Sequence, residues 1–466
     1  MDVAAIILAA GKGTRMNSGV PKALHPLSGR PLVTFAMQAA LDAGARQVVV
    51  VVGHAKDKVE AVVHRHCPEA RIAVQAEQKG TGHAAQCGAA EVDLDIDRVW
   101  VMNGDVPLLR PQTLMGLRAH TGTRAVGLVS VHLDDPTGYG RVLRDLDGAP
   151  DRIVEHRDAD EEIRRIREVN AGIYDVDRGF LVDATARLRP ENDQAELYLT
   201  DIVAAARSAG GTAGFHLDDA EEAVGINTRT ELAGVQSLLW RRAGSRLLET
   251  GVTVVDPMTA YIDPWVEVGM DTVIHPQVHL RGSCRVGRNC IIDVGAILED
   301  AVLEDNVHVH AYSIVQSAVV RDGASVGPFA RLRPGTELGP DAKVGNFVET
   351  KNTRFGRGAK ANHLSYLGDA WVGDATNVGA GTITCNYDGY GKHPTVIGPG
   401  TFVGSNATLV APVTLGARAY VAAGSTVTAD APDDSLVFGR ARQVNKEGRA
   451  QDVRQRAEAA SKTRGS

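Results

Sequence analysis

Between Tyr261 and Asp430 an aliphatic residue returns at every sixth position, in three long series. Ile262, Val268, Ile274, Leu280, Val286, Ile292 and Leu298 make the first, and Ile314, Val320, Val326, Leu332, Leu338 and Val344 the second. Ile397, Val403, Leu409, Leu415, Val421 and Val427 make the third. Glycine often follows the aliphatic residue, as at Gly269, Gly287, Gly327, Gly339, Gly404 and Gly416. A helix repeats at about 3.6 residues and a strand at about 2, so a strict six fits neither alone. It fits a coil with three flat faces, one hexapeptide to each, the aliphatic side chain pointing inward and turn residues at the corners. Such a coil is scaffold, so its chemistry has to come from residues that interrupt the rhythm.

At 466 residues the chain exceeds one ordinary core, and two or three domains are expected. Apolar and charged contents of 44% and 23% are those of a soluble globular protein. A net charge of −7 gives no support for nucleic acid or an anionic membrane as partner. No apolar run approaches the roughly 20 residues that cross a bilayer, and the N-terminus lacks the basic region and cleavage site of a signal peptide. The five cysteines (Cys67, Cys87, Cys284, Cys290, Cys385) are odd in number and show no metal-like CxxC spacing. A reduced, cytoplasmic chain is the expectation.

The first 227 residues alternate short apolar runs with helical segments: strands at Val3–Leu8, Gln47–Val52 and Arg98–Met102, a helix at Leu32–Ala43. The pattern predicts an α/β domain, Rossmann-like with a mainly parallel sheet covered on both faces, whose ligands sit at the carboxyl ends of strands. Thr228-Arg-Thr-Glu231 has capping-box spacing and opens a helix, striped by Leu232, Val235, Leu239, Ala243 and Leu247, that Gly251 stops. The expected division is a nucleotide domain over 1–227, a linker helix over 228–250, the hexapeptide domain over 251–440 and a flexible tail over 441–466 with some helix.

The first strand runs into Ala9-Ala-Gly11-Lys-Gly13-Thr-Arg15-Met16, and Pro21-Lys22 follows. Glycines at 11 and 13 let backbone amides approach phosphate oxygens, while Lys12, Arg15 and Lys22 supply charge. The loop is no Walker A sequence, lacking its GK[ST] ending, nor the dinucleotide fingerprint, since Met16 takes the third glycine position. Asp105, a carboxylate at a strand end, suits Mg²⁺.

Leu8-Ala-Ala-Gly-x-Gly-Thr-Arg-Met with Pro-Lys resembles the signature of the sugar-1-phosphate nucleotidylyltransferases. Gln75-Ala-Glu-Gln-Lys-Gly-Thr-Gly-His83, Gly104-Asp-Val-Pro-Leu108, Gly138-Tyr-Gly-Arg141, Ile153-Val-Glu155, Asn170-Ala-Gly172 and Gly225-Ile-Asn227 extend the likeness through the whole first half. Joined to hexapeptide repeats, the pattern is similar to the family of bifunctional N-acetylglucosamine-1-phosphate uridylyltransferase/glucosamine-1-phosphate N-acetyltransferases. The resemblance implies a left-handed parallel β-helix, an exception to the right-handed crossover habit, and a homotrimer. It implies that Lys22 and Arg15 hold the triphosphate of UTP, that Asp105 and Asn227 bind Mg²⁺, and that Leu8, Ala9, Ala10, Gly11, Asn103 and Gly104 line the nucleotide site. Gln75, Gly80 and Thr81 are then expected at the uracil, and Gly140, Glu155 and Asn170 at the sugar. One departure stands out: Asn103 occupies a position before Gly-Asp that is often aromatic.

In the second half the sharpest break in rhythm is Gly379 to His393, a polar loop containing Asn386, Tyr387 and Lys392. Acetyl transfer to an amino sugar needs a base to take an ammonium proton, and histidine is the natural one. His363, within Asn-His-Leu-Ser-Tyr, resembles the family's catalytic segment, and Glu349, about one coil earlier, is expected to orient it. By the same resemblance Arg333 and Lys351 bind the sugar phosphate, Tyr366 and Asn377 the sugar, and Ala380, Asn386, Tyr387, Ser405, Ala423 and Arg440 acetyl-CoA; Lys392 is expected to reach a phosphate. His308 and His310, at alternate strand positions, also have the spacing of metal ligands, though solvation or inter-subunit packing is the more ordinary reading. The leading expectation is a two-site enzyme whose product, UDP-N-acetylglucosamine, is a precursor of bacterial cell-wall polymers. A monofunctional nucleotidylyltransferase with a structural or regulatory β-helix is the alternative.

Overall fold

The computed structural model describes residues 2–192 and 194–463. The chain divides into two compact units, Met1–Arg242 and Ala243–Ser466.

In the first unit the main sheet is built from β1 (Val3–Leu8), β2 (Gln47–Val52), β3 (Arg71–Val74), β4 (Arg98–Asn103), β5 (Val126–His132), β8 (Glu168–Asp177) and β9 (Thr212–Leu217). A hairpin of β6 (Arg141–Arg144) and β7 (Pro150–Val154) hangs from β8. The strand order is β9-β5-β8-β4-β1-β2-β3. All pairings along it are parallel except those of β8, which runs against both β4 and β5. Alternation along the strands feeds two cores. Val3, Ala5, Ile7, Val48, Val50 and Val52 face one side, whereas Ala4, Ile6, Val49 and Val51 face the other. Burial on both faces is why these strands read as unbroken apolar runs.

Helix α1 (Leu32–Asp42) and the helix after it, α2 (Lys56–His66), bury valine and alanine in the first core, and α3 (Thr81–Ala90) buries alanine in the second. The capping box forms: Glu231 Oε2 accepts from the Thr228 amide at 2.9 Å, and Thr228 Oγ1 accepts from the Glu231 amide at 3.2 Å. Helix α4 (Arg229–Glu249) follows from it and ends before Gly251, whose φ of +86° suits only glycine.

The second unit is three parallel sheets of 11, 10 and 9 strands, each coil contributing one strand to each. Ile262 pairs with Leu280 and Leu280 with Leu298, so neighbouring coils stand 18 positions apart, three hexapeptides. The first and third series are buried in one continuous aliphatic core, with Val268 only partly covered. The second series needs a correction at its start. Val315 is fully buried and Ile314 only half-buried, because one corner of the coil drops a residue: Leu298 to Leu303 and Val315 to Val320 are steps of five. Each dropped residue moves the inward position by one, which breaks the sequence pattern into separate series without breaking the coil. One coil is long instead: Val378 pairs with Val403 and Thr384 with Leu409, 25 positions on. The excess is the loop after Cys385. Beyond the last coil a helix, Arg449–Thr463, lies within the segment expected as a tail. No helix among the described residues is long and apolar enough to cross a membrane.

Candidate active sites

Parallel pairing puts the carboxyl ends of β4, β1, β2 and β3 side by side, with Leu8 beside both Val51 and Asn103. The Ala9 amide donates to Val51 O at 2.9 Å and the Gly104 amide to Leu8 O at 3.0 Å, so the two loops leave the sheet together. Gly13 has φ +61°, and a Cβ there would stand 2.5 Å from Lys22 Cβ. Glycine alone lets the loop lie against Lys22. The Lys22 ammonium pairs with Asp105 and donates to Asn227 Oδ1 at 2.6 Å, and Arg15 donates to the same oxygen at 2.9 Å. Asn227 is brought there by the backbone: the Ile226 amide donates to Asp105 O at 2.9 Å. The capping Glu231 carboxylate also accepts from the Asn227 amide at 2.5 Å. Two hard oxygen donors therefore converge on one cationic group, a donor set that fits Mg²⁺.

A pocket of about 280 Å³ opens at this point, lined by the Leu8–Gly11 backbone, Lys22, Gln75, Gly80, Thr81 and the Asn103–Asp105 turn. Gln75 is buried and its amide donates to Gly80 O at 2.9 Å, while Thr81 Oγ1 accepts from the Leu199 amide at 3.0 Å. Gln78 and Glu196 line it too, although neither was anticipated. Gly140, Glu155 and Asn170 gather into a second group that does not line this pocket. The Asn170 amide donates to Gly140 O at 2.9 Å, and a Cβ on Gly140 would come within 3.4 Å of the Glu155 carboxylate. Burial pushes the Glu155 carboxyl above its ordinary range, against the Thr200 hydroxyl that donates to it at 3.2 Å, with Asp158 and Asp201 raising it further. Asn103, the departure noted above, packs on Gly172, where a Cβ would meet its amide nitrogen at 2.7 Å.

In the second unit, Lys360–His363 lies beside Lys343–Asn346 in the 11-stranded sheet, and the register sets Asn346 opposite His363. His363 Nδ1 and Asn346 Oδ1 are 2.6 Å apart. A carboxamide oxygen only accepts, so Nδ1 carries the proton and the Nε2 lone pair is left for a substrate. The expectation gave this orienting role to Glu349. That carboxylate instead accepts from Arg333 Nη1 at 2.8 Å.

Around the corner at Leu364, Tyr366 leans over Gly368, where a Cβ would meet its hydroxyl at 2.5 Å. Lys351 stands close to Lys392 of the inserted loop and to Arg333; these neighbouring cations hold its ammonium below the ordinary range. Cations drawn together, offset by Asp369 and Glu349, make an anion site. Asn386 is buried and donates to Asp369 Oδ2 at 2.5 Å, whereas Tyr387 is exposed, its hydroxyl on Gly389 O at 2.7 Å. Val378, Val403 and Val421 pair in register, so Ala380, Ser405 and Ala423, two positions beyond each, stack along one corner. Arg440 follows at the end of that stack, its Cδ 3.8 Å from where a Cβ on Gly424 would lie. Asn377 shares the face of His363.

Comparison with known proteins agrees with both halves. Residues 5–171 match the MobA-like NTP transferase domain family, 257–354 the GMPPB C-terminal domain, and 394–429 the bacterial transferase hexapeptide (six repeats). The chain is 47% identical over 465 residues to the bifunctional protein GlmU of Sorangium cellulosum, covering 98% of each. It is 50% identical to that of Anaeromyxobacter sp. (strain Fw109-5), covering 99% of this chain and 94% of the relative. It is 46% identical to that of Geotalea uraniireducens, covering 96% and 98%. The chain belongs to the GlmU family.

The feature that sequence reading missed in this GlmU-family chain is Asn346. Its signal was available, since it precedes His363 by 17 positions, the coil length found at Ala361 and Val378. Glu349 stands only 14 positions before His363, three short of that coil length, and meets Arg333 instead.

Proposed function

We propose that the chain makes UDP-N-acetylglucosamine in two steps, one in each unit. The observation that carries this is that each unit holds its own cluster of convergent cations beside a reactive group: Lys22 and Arg15 with Asp105 and Asn227 in one, Lys351 and Lys392 with His363 in the other.

In the acetyl step, Arg333, Lys351 and Lys392 hold the phosphate of glucosamine 1-phosphate, with Tyr366 and Asn377 on the sugar. His363 Nε2 takes the proton from the amine, which attacks the thioester carbon of acetyl-CoA. The C–S bond breaks and CoA leaves. Asn346 fixes the tautomer that makes Nε2 the base. Ala380, Asn386, Tyr387, Ser405, Ala423 and Arg440 form the acetyl-CoA site.

In the uridylyl step, an oxygen of N-acetylglucosamine 1-phosphate attacks the α-phosphorus of UTP and pyrophosphate leaves in line; positioning and charge neutralisation do most of the work. Asp105 and Asn227 hold Mg²⁺, which supplies positive charge to the triphosphate oxygens. Lys22 and Arg15, released from Asn227, turn to the phosphates, and amides of the Gly11 loop meet their oxygens. Gln75, Gly80 and Thr81 take the uracil, and Gly140, Glu155 and Asn170 the sugar.

The working form is a cytoplasmic homotrimer. Tyr312, Phe329, Phe347 and Leu364 form an exposed apolar ladder on successive coils, its three rings stacked, ending next to His363. A second copy covering this ladder would also wall a histidine that is open on one chain. The two-site reading is tested by supplying all four ingredients and following CoA and pyrophosphate separately. His363→Ala should stop CoA release yet use supplied N-acetylglucosamine 1-phosphate, and Asp105→Ala the reverse. Loss of both activities in either folded variant would refute two independent sites.

A further inference from the structure

Away from both clusters, three polar side chains converge on the 11-stranded face of the β-helix and neither reaction uses them. Ile274, Ile292 and Val309 pair in register and are fully buried. The next position in each coil turns outward, and there stand His275, Asp293 and His310. His308, two residues before His310, shares that side of its strand. The imidazoles of His308 and His310 lie 3.7 Å apart between centroids, tilted by 35°.

His308 Nε2 lies 2.9 Å and His310 Nδ1 3.4 Å from the same oxygen, Asp293 Oδ2. His275 Nε2 is 3.9 Å from the other carboxylate oxygen. One ligand atom from each of Asp293, His308 and His310 lies within 4.8 Å of the others. For a four-coordinate ion bound at about 2.0–2.2 Å, neighbouring ligands are about 3.3–3.6 Å apart. The observed spacings straddle that value, so small rotations of three side chains would close the site. Asp293 Oδ2 thus faces two imidazole nitrogens at once, His308 at hydrogen-bond distance and His310 at a longer 3.4 Å. Ser325 Oγ is 3.0 Å from His310 Nε2. With the serine accepting there, the Nδ1 lone pair faces the carboxylate, an arrangement that a cation between them resolves. A ligating histidine commonly donates its other ring nitrogen in this way.

We propose that Asp293, His308 and His310 form a site for a divalent transition ion of the zinc class, with water in the fourth position. Two imidazoles and one carboxylate suit zinc, cobalt or nickel and disfavour magnesium and calcium, which select oxygen. Ser325 and His275 hold the ligands in place. The ligands belong to adjacent coils of the sheet that carries His363 three coils later, so a bound ion would tie those two coils together, and its role is structural. The groups are only about one-third exposed, at 35%, 26% and 32% for His308, Asp293 and His310, yet open enough for an ion to enter.

The test uses the full-length, untagged protein, stripped with a chelator and titrated with Co²⁺ and then Zn²⁺ at neutral pH. One Co²⁺ per chain should raise the intense visible bands of a four-coordinate site, which Zn²⁺ abolishes; Co²⁺ held in six-coordinate oxygen surroundings would give only weak bands. Zn²⁺ should also raise the melting temperature of the wild type. His308→Ala should remove the bands and the zinc-dependent rise while keeping both transfer activities, and Ser325→Ala should weaken Co²⁺ binding about 10- to 100-fold. Asp293→Asn, nearly isosteric, serves if His308→Ala does not fold. Absence of intense bands in the wild type, or bands that survive in His308→Ala or Asp293→Asn, would overturn the proposal.

Discussion

Asn346→Ala should slow acetyl transfer about fivefold through kcat while leaving the KM for glucosamine 1-phosphate near its starting value. The contact at stake is one neutral hydrogen bond, 2.6 Å long, at an exposed ring. Bonds of this kind contribute about 0.5–1.5 kcal/mol net. Taking about 1 kcal/mol gives a factor of about five in rate, with about tenfold as the upper bound. The mechanism is a loss of position: without the Asn346 oxygen the ring turns freely and its proton can sit on either nitrogen. Only the fraction with a lone pair at Nε2, aimed at the amine, then reacts. Glu349→Gln is the companion variant. Glu349 touches Arg333 and not the ring, so its loss should disturb phosphate binding and appear in KM. Initial rates of CoA thiol release at saturating acetyl-CoA, with the melting temperature as a folding control, separate the two. An unchanged kcat in Asn346→Ala would refute the reasoning. A kcat loss in Glu349→Gln at constant KM would return the orienting role to Glu349.

Gly13→Ala places a side chain at φ +61° and 2.5 Å from Lys22 Cβ; a left-handed non-glycine residue costs about 1–2 kcal/mol, so pyrophosphate release should fall about 5- to 30-fold while CoA release is retained. Equal loss of both would place the damage in folding. Lys392→Ala removes one of the cations around Lys351; the KM for glucosamine 1-phosphate should rise about tenfold or more, less so at high salt, and a salt-independent change would argue against a phosphate contact. Glu155→Gln tests burial. The folded-state pKa of Glu155 is raised above 4.5, so its contribution to stability is full below that pH and is lost as pH rises through the folded value. The glutamine variant should therefore melt higher than wild type at pH 7, with the difference closing as the pH falls below about 4.5. A variant less stable at pH 7 would show that the carboxylate is held by more than Thr200.

The inward aliphatic series was legible because a narrow three-sided core accepts one side-chain size at one spacing. Its breaks were not, since a corner that drops a residue, as between Leu298 and Leu303, leaves nothing in the local composition to announce it. The same geometry explains why Glu349 meets Arg333 and Asn346 meets His363. Within the β-helix, several side chains that meet across coils stand 15 to 18 positions apart: Asp293 with His308, Arg333 with Glu349, Asn346 with His363, His275 with Asp293. A full 17-residue step names Asn346 and a 15-residue step pairs Asp293 with His308, whereas a step of about one coil on chemical grounds points to Glu349, which meets Arg333. No such count exists for the first unit. Lys22, Asp105 and Asn227 meet because β1 and β4 are neighbours and because the Asp105 carbonyl holds Ile226, and neither fact has a fixed sequence interval. There resemblance supplied what periodicity could not. Even β8, the neighbour of β4, runs antiparallel in a sheet whose apolar runs all read alike. Burial on both faces erases the direction of a strand from its sequence, while a hexapeptide coil writes its partners at a nearly constant distance.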